Sequence, residues 1–255
     1  MSDEQILKDL NQNQIEAVKA VEGPVLIIAG PGSGKTATLT RRVAYMISIE
    51  IKPENILCIT FTNKAAQEMK ERIQNLLGRL TATPLVGTFH SICAKILRNE
   101  AKILGFTKNF TIYDGEDQLS LIKKTMETLG FSQKNFNPYS ILNRISKLKS
   151  GLAYSESYDF SDGNYYEKIV GQIYNAYQKE LKTANAMDFD DLIMLTVELF
   201  EKNPQILKKY QSQFKYLLVD ECLPYNTPIL LADGSKKVIG DMVQLSDSER
   251  GGMNL

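Results

Sequence analysis

The stretch VLIIAGPGSGKT, residues 25–36, constrains this chain more than any other. Residues 25–30 form a β-branched apolar run closed by glycine, the pattern of a short buried parallel strand. Ala29, Gly30, Pro31, Gly32, Ser33, Gly34, Lys35 and Thr36 then follow the spacing G-x-x-x-x-G-K-[ST], with Ala29 in place of the first glycine. A helical pattern continues to about Ser48. Strand, glycine loop and helix in that order form a phosphate cradle. Gly30, Gly32 and Gly34 let backbone N–H groups close around a triphosphate at a helix N-terminus, where the helix dipole favours negative charge. Lys35 has the reach for the β- and γ-phosphates, and the Thr36 hydroxyl suits Mg²⁺.

The surrounding pattern predicts an α/β fold built on a parallel sheet. NILCITF (55–61), PLVGTF (84–89) and YLLV (216–219) read as further buried strands. Helical patterns separate them: LNQNQIEAVKAV (10–21), NKAAQEMKERIQNLLG (63–78, with Asn63 as cap and Gly78 as stop) and HSICAKILRNEAKILG (90–105). Strands alternating with helices argue for an open parallel sheet covered on both faces. From about Phe106 to Thr183 the pattern turns helical and polar, as in an insertion, with a tyrosine-rich connection at 151–168. DFDDLIMLTVELFEK (188–202) is amphipathic again, and Pro204 opens another helix. The expected organisation is one domain from 1–105 and 184–221, a helical subdomain at 106–183, and a separate segment at 222–255.

A phosphate loop needs a second acid to hold the metal, normally at the end of a neighbouring buried strand. Asp220 and Glu221 come directly off four apolar residues and supply it, Asp220 for Mg²⁺ and Glu221 as the base for the attacking water. Formal charge is zero, so no global basic field advertises a nucleic acid and that reading must rest on local motifs. No apolar run approaches the roughly 18 residues of a membrane span, and the acidic start MSDEQILKDL is unlike a signal peptide. Cys58, Cys93 and Cys222 offer neither a disulfide framework nor metal spacing, which fits a reducing cytoplasm.

Several stretches together carry a family resemblance: LNQNQIEAV (10–18), ITFTNKAAQEMKERI (59–73), VGTFHSICAKILR (86–98), MDFDDLI (187–193) and LLVDE (217–221), behind AGPGSGKT. Over residues 1–221 the chain resembles the superfamily 1 DNA helicases of the UvrD/PcrA/Rep type. Recombination nucleases of the AddA and RecB kind share parts of the set and stay as a subfamily alternative. The resemblance implies a RecA-like motor domain that uses ATP and Mg²⁺ to move along DNA and unwind it 3′ to 5′. It places Gln14 on the adenine and gives Arg42 a supporting role near the nucleotide. Ala37 stands where several relatives have an arginine near the base, which implies thinner adenine contacts. It also implies that arginines from a second motor domain complete the ATP site, so this chain alone is expected to bind nucleotide, hydrolyse weakly and not unwind processively.

For single-stranded DNA the resemblance marks Phe61, Thr62, Asn63 and Lys64 in one motif and Thr88, Phe89 and His90 in another. The residues themselves are compatible. Aromatics beside small polar donors at strand ends suit base stacking plus phosphate contact, with little sequence preference. Read without the motif, His90 is a structural histidine and Lys64 a surface residue at a helix start. Two other readings remain open: a stand-alone nucleotide- and strand-binding module, and an inert remnant.

After Glu221 the sequence departs from that family with CLPYNTPILLADGSKKVIGDMV (222–243). This resembles the opening block of an intein, with Cys222 as first residue, and Asp233-Gly234 between apolar runs is a hairpin signal by itself. The resemblance implies that the Cys222 thiol attacks the Glu221 carbonyl, converting that peptide bond to a thioester. No histidine follows His90 and 34 residues follow Glu221, so the expectation is a split intein whose partner chain carries the other intein half and the rest of the helicase. A truncated product, a degenerate intein, and a native variant residue at Cys222 are the alternatives.

Overall fold

A computed structural model describes residues 3–27, 32–78, 82–156, 163–220, 228–230 and 236–238. The chain divides into two compact units, Met1–Thr88 with Tyr210–Leu255, and Phe89–Lys209.

The first unit begins with α1 (Asp3–Leu7), α2 (Gln12–Lys19) and α3 (Lys35–Ser48), followed by β1 (Ile56–Thr60), α4 (Asn63–Leu77) and β2 (Leu85–Thr88). Its last strand lies far along the chain; numbered in sequence order it is β5 (Tyr216–Asp220). The sheet order is β2-β1-β5 and all pairs are parallel, with Thr60 in register with both Thr88 and Asp220. Side chains alternate across the pleat. Ile56, Cys58, Val86 and Leu218 therefore share one face, where Val43 and Met46 of α3 and Ala66, Met69 and Ile73 of α4 close the core. On the other face Leu57 and Ile59 are buried, while Leu217 and Val219 are 61% and 39% exposed.

Two expectations change here. Val25–Ile27, read as the start of a buried strand, lie outside any strand, and Val25 is 36% exposed. The rest of that run, residues 28–30, lies outside the described residues. Thr62, not Asn63, caps α4: its extended backbone lets its hydroxyl accept from Ala65 N–H at 3.1 Å. A capping side chain reaches two or three residues forward, so the cap lies one residue before the first helical one. Arg41 and Arg42, consecutive on α3, fasten the two leading helices by donating to Ile6 O and Ala17 O, each at 2.5 Å.

The second unit holds α5 (Phe89–Glu100), β3 (Thr111–Tyr113), α6 (Gly115–Thr128), α7 (Pro138–Ser150), α8 (Tyr165–Thr183), β4 (Ala186–Asp188) and α9 (Phe189–Lys202). α10 (Pro204–Gln213) follows. The unit is wider than the 106–183 insertion because α5 packs on α9, and α9 packs on α7. It is not wholly helical either: β3 and β4 pair in parallel, Thr111 opposite Ala186. Apolar faces of α6, α7 and α8 form its core, including Ile122, Met126, Ile141, Ile145 and Ile173. Beyond β5, β6 (Pro228–Leu230) and β7 (Lys236–Val238) pair antiparallel.

One buried polar cluster crosses the second unit. Lys149 Nζ, its side chain 0% exposed, donates to Asp188 Oδ2 at 2.6 Å and Asp191 Oδ1 at 2.8 Å. Tyr177 Oη donates to Asp188 Oδ2 at 3.0 Å and Gln178 Nε2 to Asp191 Oδ1 at 3.1 Å. The ammonium also lies 5.1 and 5.8 Å from the ring centroids of Tyr177 and Tyr174. Burial alone would pull the Lys149 pKa down, but Asp191 and Asp188 outweigh it and the net direction is up. With one ammonium for two carboxylates, burial pushes the Asp191 carboxyl up to about 6, against the pull of Lys149.

A pH dependence follows. A carboxyl raised in the folded state keeps its proton there at a pH where the unfolded chain has lost it. Its stabilising contribution is complete below the unfolded value of 3.8 and is lost as pH rises through about 6. The difference in unfolding free energy between the wild-type chain and Asp191→Asn should therefore shrink by about 2–3 kcal/mol from pH 4 to pH 7. Urea titrations across that range would read it, and a difference independent of pH would refute it.

Candidate functional site

The parallel register sets Thr60, Thr88 and Asp220 side by side at the carboxyl edge of the first unit's sheet, where ligands bind in open α/β folds. Asp220 sits there because four preceding residues are held in β5; Thr36 arrives from the first turn of α3. The Thr36 hydroxyl donates to Asp220 Oδ2 at 2.8 Å, joining residues 184 positions apart.

Gly32 and Gly34 have φ of +78° and +85°, a left-handed backbone that residues with a Cβ rarely adopt. Gly34 is also the N-cap of α3, without a capping side chain. The helix thus sets the positive end of its dipole at the loop, and Lys35 is its first residue. Gln14 packs against this loop. Its Nε2 donates to Ser33 O at 3.0 Å, its Oε1 accepts from Asn11 N–H at 3.0 Å, and a Cβ on Gly34 would come within 3.2 Å of it. The capping box of α2 therefore fixes the amide that meets the loop. Arg42 is 7% exposed, and its guanidinium donates to Ala17 O of α2. Ala29, Gly30, Pro31, Glu221 and Cys222 lie outside the described residues.

A hydroxyl and a carboxylate in hydrogen-bond contact beside a helix N-terminus make a hard oxygen pair. That suits Mg²⁺, which keeps several waters and takes one or two protein ligands plus phosphate oxygens. No group of three or more His, Cys, Asp or Glu among the described residues could hold a metal.

Phe61 directly follows β1 and is 76% exposed, with Asn63 and Lys64 exposed beside it on the first turn of α4. Thr62 is exposed too, its hydroxyl engaged as the cap of α4. Thr88 ends β2 at only 8% exposure, further from solvent than its motif suggests. Phe89 and His90 open α5 in the second unit, Phe89 being 40% exposed. There the structure adds a residue that sequence reading missed. Phe189, the first residue of α9, is 48% exposed and meets the His90 ring edge-on at 6.0 Å. Its signal was an aromatic between two acids in MDFDDLI, which periodicity alone assigns to a helix face.

A parallel sheet whose carboxyl edge joins a glycine loop, a helix N-terminus and a strand-end aspartate defines the class of phosphate-loop α/β proteins. Within it, the UvrD/REP helicase N-terminal domain matches residues 10–222, and the chain belongs to that helicase family. It is 46% identical over 218 residues to the ATP-dependent DNA helicase PcrA of Bacillus subtilis (strain 168), covering 85% of this chain and 30% of that protein. It is 43% identical over 247 residues to PcrA of Staphylococcus aureus (strain Mu50 / ATCC 700699), covering 94% of this chain and 34% of that protein. The chain thus spans about a third of the length of these relatives. No helix among the described residues is long and apolar enough to cross a membrane.

Proposed function

We propose that this chain is the N-terminal part of an ATP-dependent DNA helicase that binds ATP with Mg²⁺ and grips single-stranded DNA, with 3′-to-5′ translocation as the work of the whole protein. The observation that carries the reading is the Thr36–Asp220 contact at 2.8 Å beside the N-terminus of α3. In this reading Gly32, Ser33, Gly34 and Lys35 hold the phosphates, with Ala29, Gly30 and Pro31 completing the loop, and Gln14 contacts the adenine. Thr36 and Asp220 hold Mg²⁺, which when bound neutralises charge on the β- and γ-oxygens. Glu221 is the base that orients and deprotonates water.

Phe61, with Thr62, Asn63 and Lys64, takes one part of the strand, and Phe89, His90 and Phe189 another; Thr88 supports from the strand end. Exposed rings give stacking that tolerates any base. The test is direct: the chain should bind a fluorescent ATP analogue only with Mg²⁺, and should bind oligo(dT). Failure of the first would remove the nucleotide reading, and failure of the second the strand reading.

A second reading concerns residues 222–255. We infer a split intein beginning at Cys222, supported by the family match ending at residue 222 and by the antiparallel pairing of β6 and β7. The alternative keeps Cys222 as a variant helicase residue, and the Staphylococcus alignment over 94% of the chain favours it. Intact mass after incubation with a strong thiol separates them. Cleavage after Glu221, releasing 34 residues, is the expected result. A chain that stays whole even when mixed with a complementary intein half returns Cys222 to the helicase.

A further inference from the structure

Among the described residues three helices begin with reciprocal capping boxes, and one is built differently from the other two. In α2 the pair is Asn11 and Gln14, and in α6 it is Asp114 and Asp117. Both operate at the surface without a buried cation. In α9 the pair is Asp188 and Asp191, each 1% exposed. Starting a helix therefore requires neither burial nor a lysine.

The bonds in α9 are fully shared out. Asp188 Oδ1 accepts from Asp191 N–H at 2.9 Å, and Asp188 Oδ2 accepts from Lys149 and Tyr177. Asp191 Oδ2 accepts from Asp188 N–H at 3.1 Å, and Asp191 Oδ1 accepts from Lys149 and Gln178. Lys149 comes from α7, and Tyr177 and Gln178 from α8, so two helices grip the first turn of α9 from beneath. Between the gripped residues stands Phe189, which points outward and meets His90. Buried ion pairs are weak sources of stability compared with apolar packing, but they fix geometry when their charged atoms are satisfied. All four carboxylate oxygens are satisfied here, although Gln178 Oε1 has no hydrogen-bond partner among the described residues. What this cluster fixes is the backbone on both sides of an exposed aromatic.

We propose that Lys149 is a positioning residue for strand binding: by clamping Asp188 and Asp191 it holds the Phe189 ring against His90 as a preformed stacking face. This rests on the reading of the chain as a single-strand binder. A preset ring loses less freedom on binding than a mobile one, so the clamp acts on affinity without touching DNA.

The test is a cycle of variants of the whole chain, read by fluorescence anisotropy with labelled oligo(dT). Phe189→Ala should weaken binding by about 10-fold, within the usual range for loss of one stacked base. The triple variant Lys149→Met, Asp188→Asn, Asp191→Asn keeps capping acceptors without buried charge, and should weaken binding by about 3- to 10-fold while melting cooperatively. In the Phe189→Ala background the triple change should then cost nothing further, since the ring it positions is already gone. A merely structural cluster would give losses that multiply. Multiplying losses, or wild-type affinity in the triple variant, would overturn the proposal. Should the triple variant not fold, Tyr177→Phe repeats the cycle with one bond to Asp188 removed, expecting about 2- to 3-fold loss that vanishes in the Phe189→Ala background. If oligo(dT) binds but Phe189→Ala leaves affinity unchanged, the strand reading stands and this proposal falls. If the wild-type chain does not bind oligo(dT), both fall.

Discussion

Lys35→Ala should remove measurable ATP binding, with affinity for a fluorescent ATP analogue falling on the order of 100-fold. Lys35 is the first residue of α3, directly after the left-handed Gly34, where the positive end of the helix dipole meets the loop. In the proposed complex its ammonium is the full positive charge added to that partial one. Charge-assisted hydrogen bonds are worth about 1.5–3 kcal/mol each, and roughly 3 kcal/mol is two decades of affinity. The position is half-exposed and outside the core of the unit, so the melting temperature should hardly change. Titration of the analogue with and without Mg²⁺, alongside a thermal melt, provides the check. Binding within about threefold of wild type would show that the loop closes on something other than a triphosphate.

The second large effect is on folding. Lys149→Met should destabilise the second unit by about 3–5 kcal/mol, because it leaves two carboxylates buried without their ammonium. Methionine fills much of the same volume, so the loss is electrostatic rather than a cavity. Asp188 and Asp191 would each keep two hydrogen bonds, one from the other's backbone N–H and one from Tyr177 or Gln178 respectively. That does not replace a charge at 2.6 and 2.8 Å. Neutralising both acids in the same chain should recover most of the loss. Urea unfolding followed by circular dichroism reads both variants, and a single variant within about 1 kcal/mol of wild type would mean that water or rearrangement already compensates the cluster.

Much of the first unit was legible because its signals are local. The apolar runs at 56–60, 85–88 and 216–220 became strands, and the loop spacing and the strand-end acid pointed separately to Thr36 and Asp220, which the fold brings to 2.8 Å. The helix from Asn63 to Leu77 ended at Gly78 as its composition required, though its cap moved to Thr62. Less was legible in the second unit. β3 and β4 are three residues each and lie more than seventy positions apart, too short for a period-two pattern and too distant for a turn signal. Phe189 sits inside an acidic helix start, and its exposure depends on which neighbours bury Asp188 and Asp191.

By itself, then, the sequence determined the class of fold, the phosphate loop, the strand-end acid and the helicase motifs, because each is written in consecutive residues whose backbone or charge requirement is local. The tertiary structure alone decided which polar groups go inside. Nothing in the local pattern of ISKLKSG (145–151) or of DFDD (188–191) marks Lys149, Asp188 or Asp191 as buried. They are buried because α7, α8 and α9 bring one ammonium and two carboxylates to the same point, where each cancels most of the others' cost of leaving water.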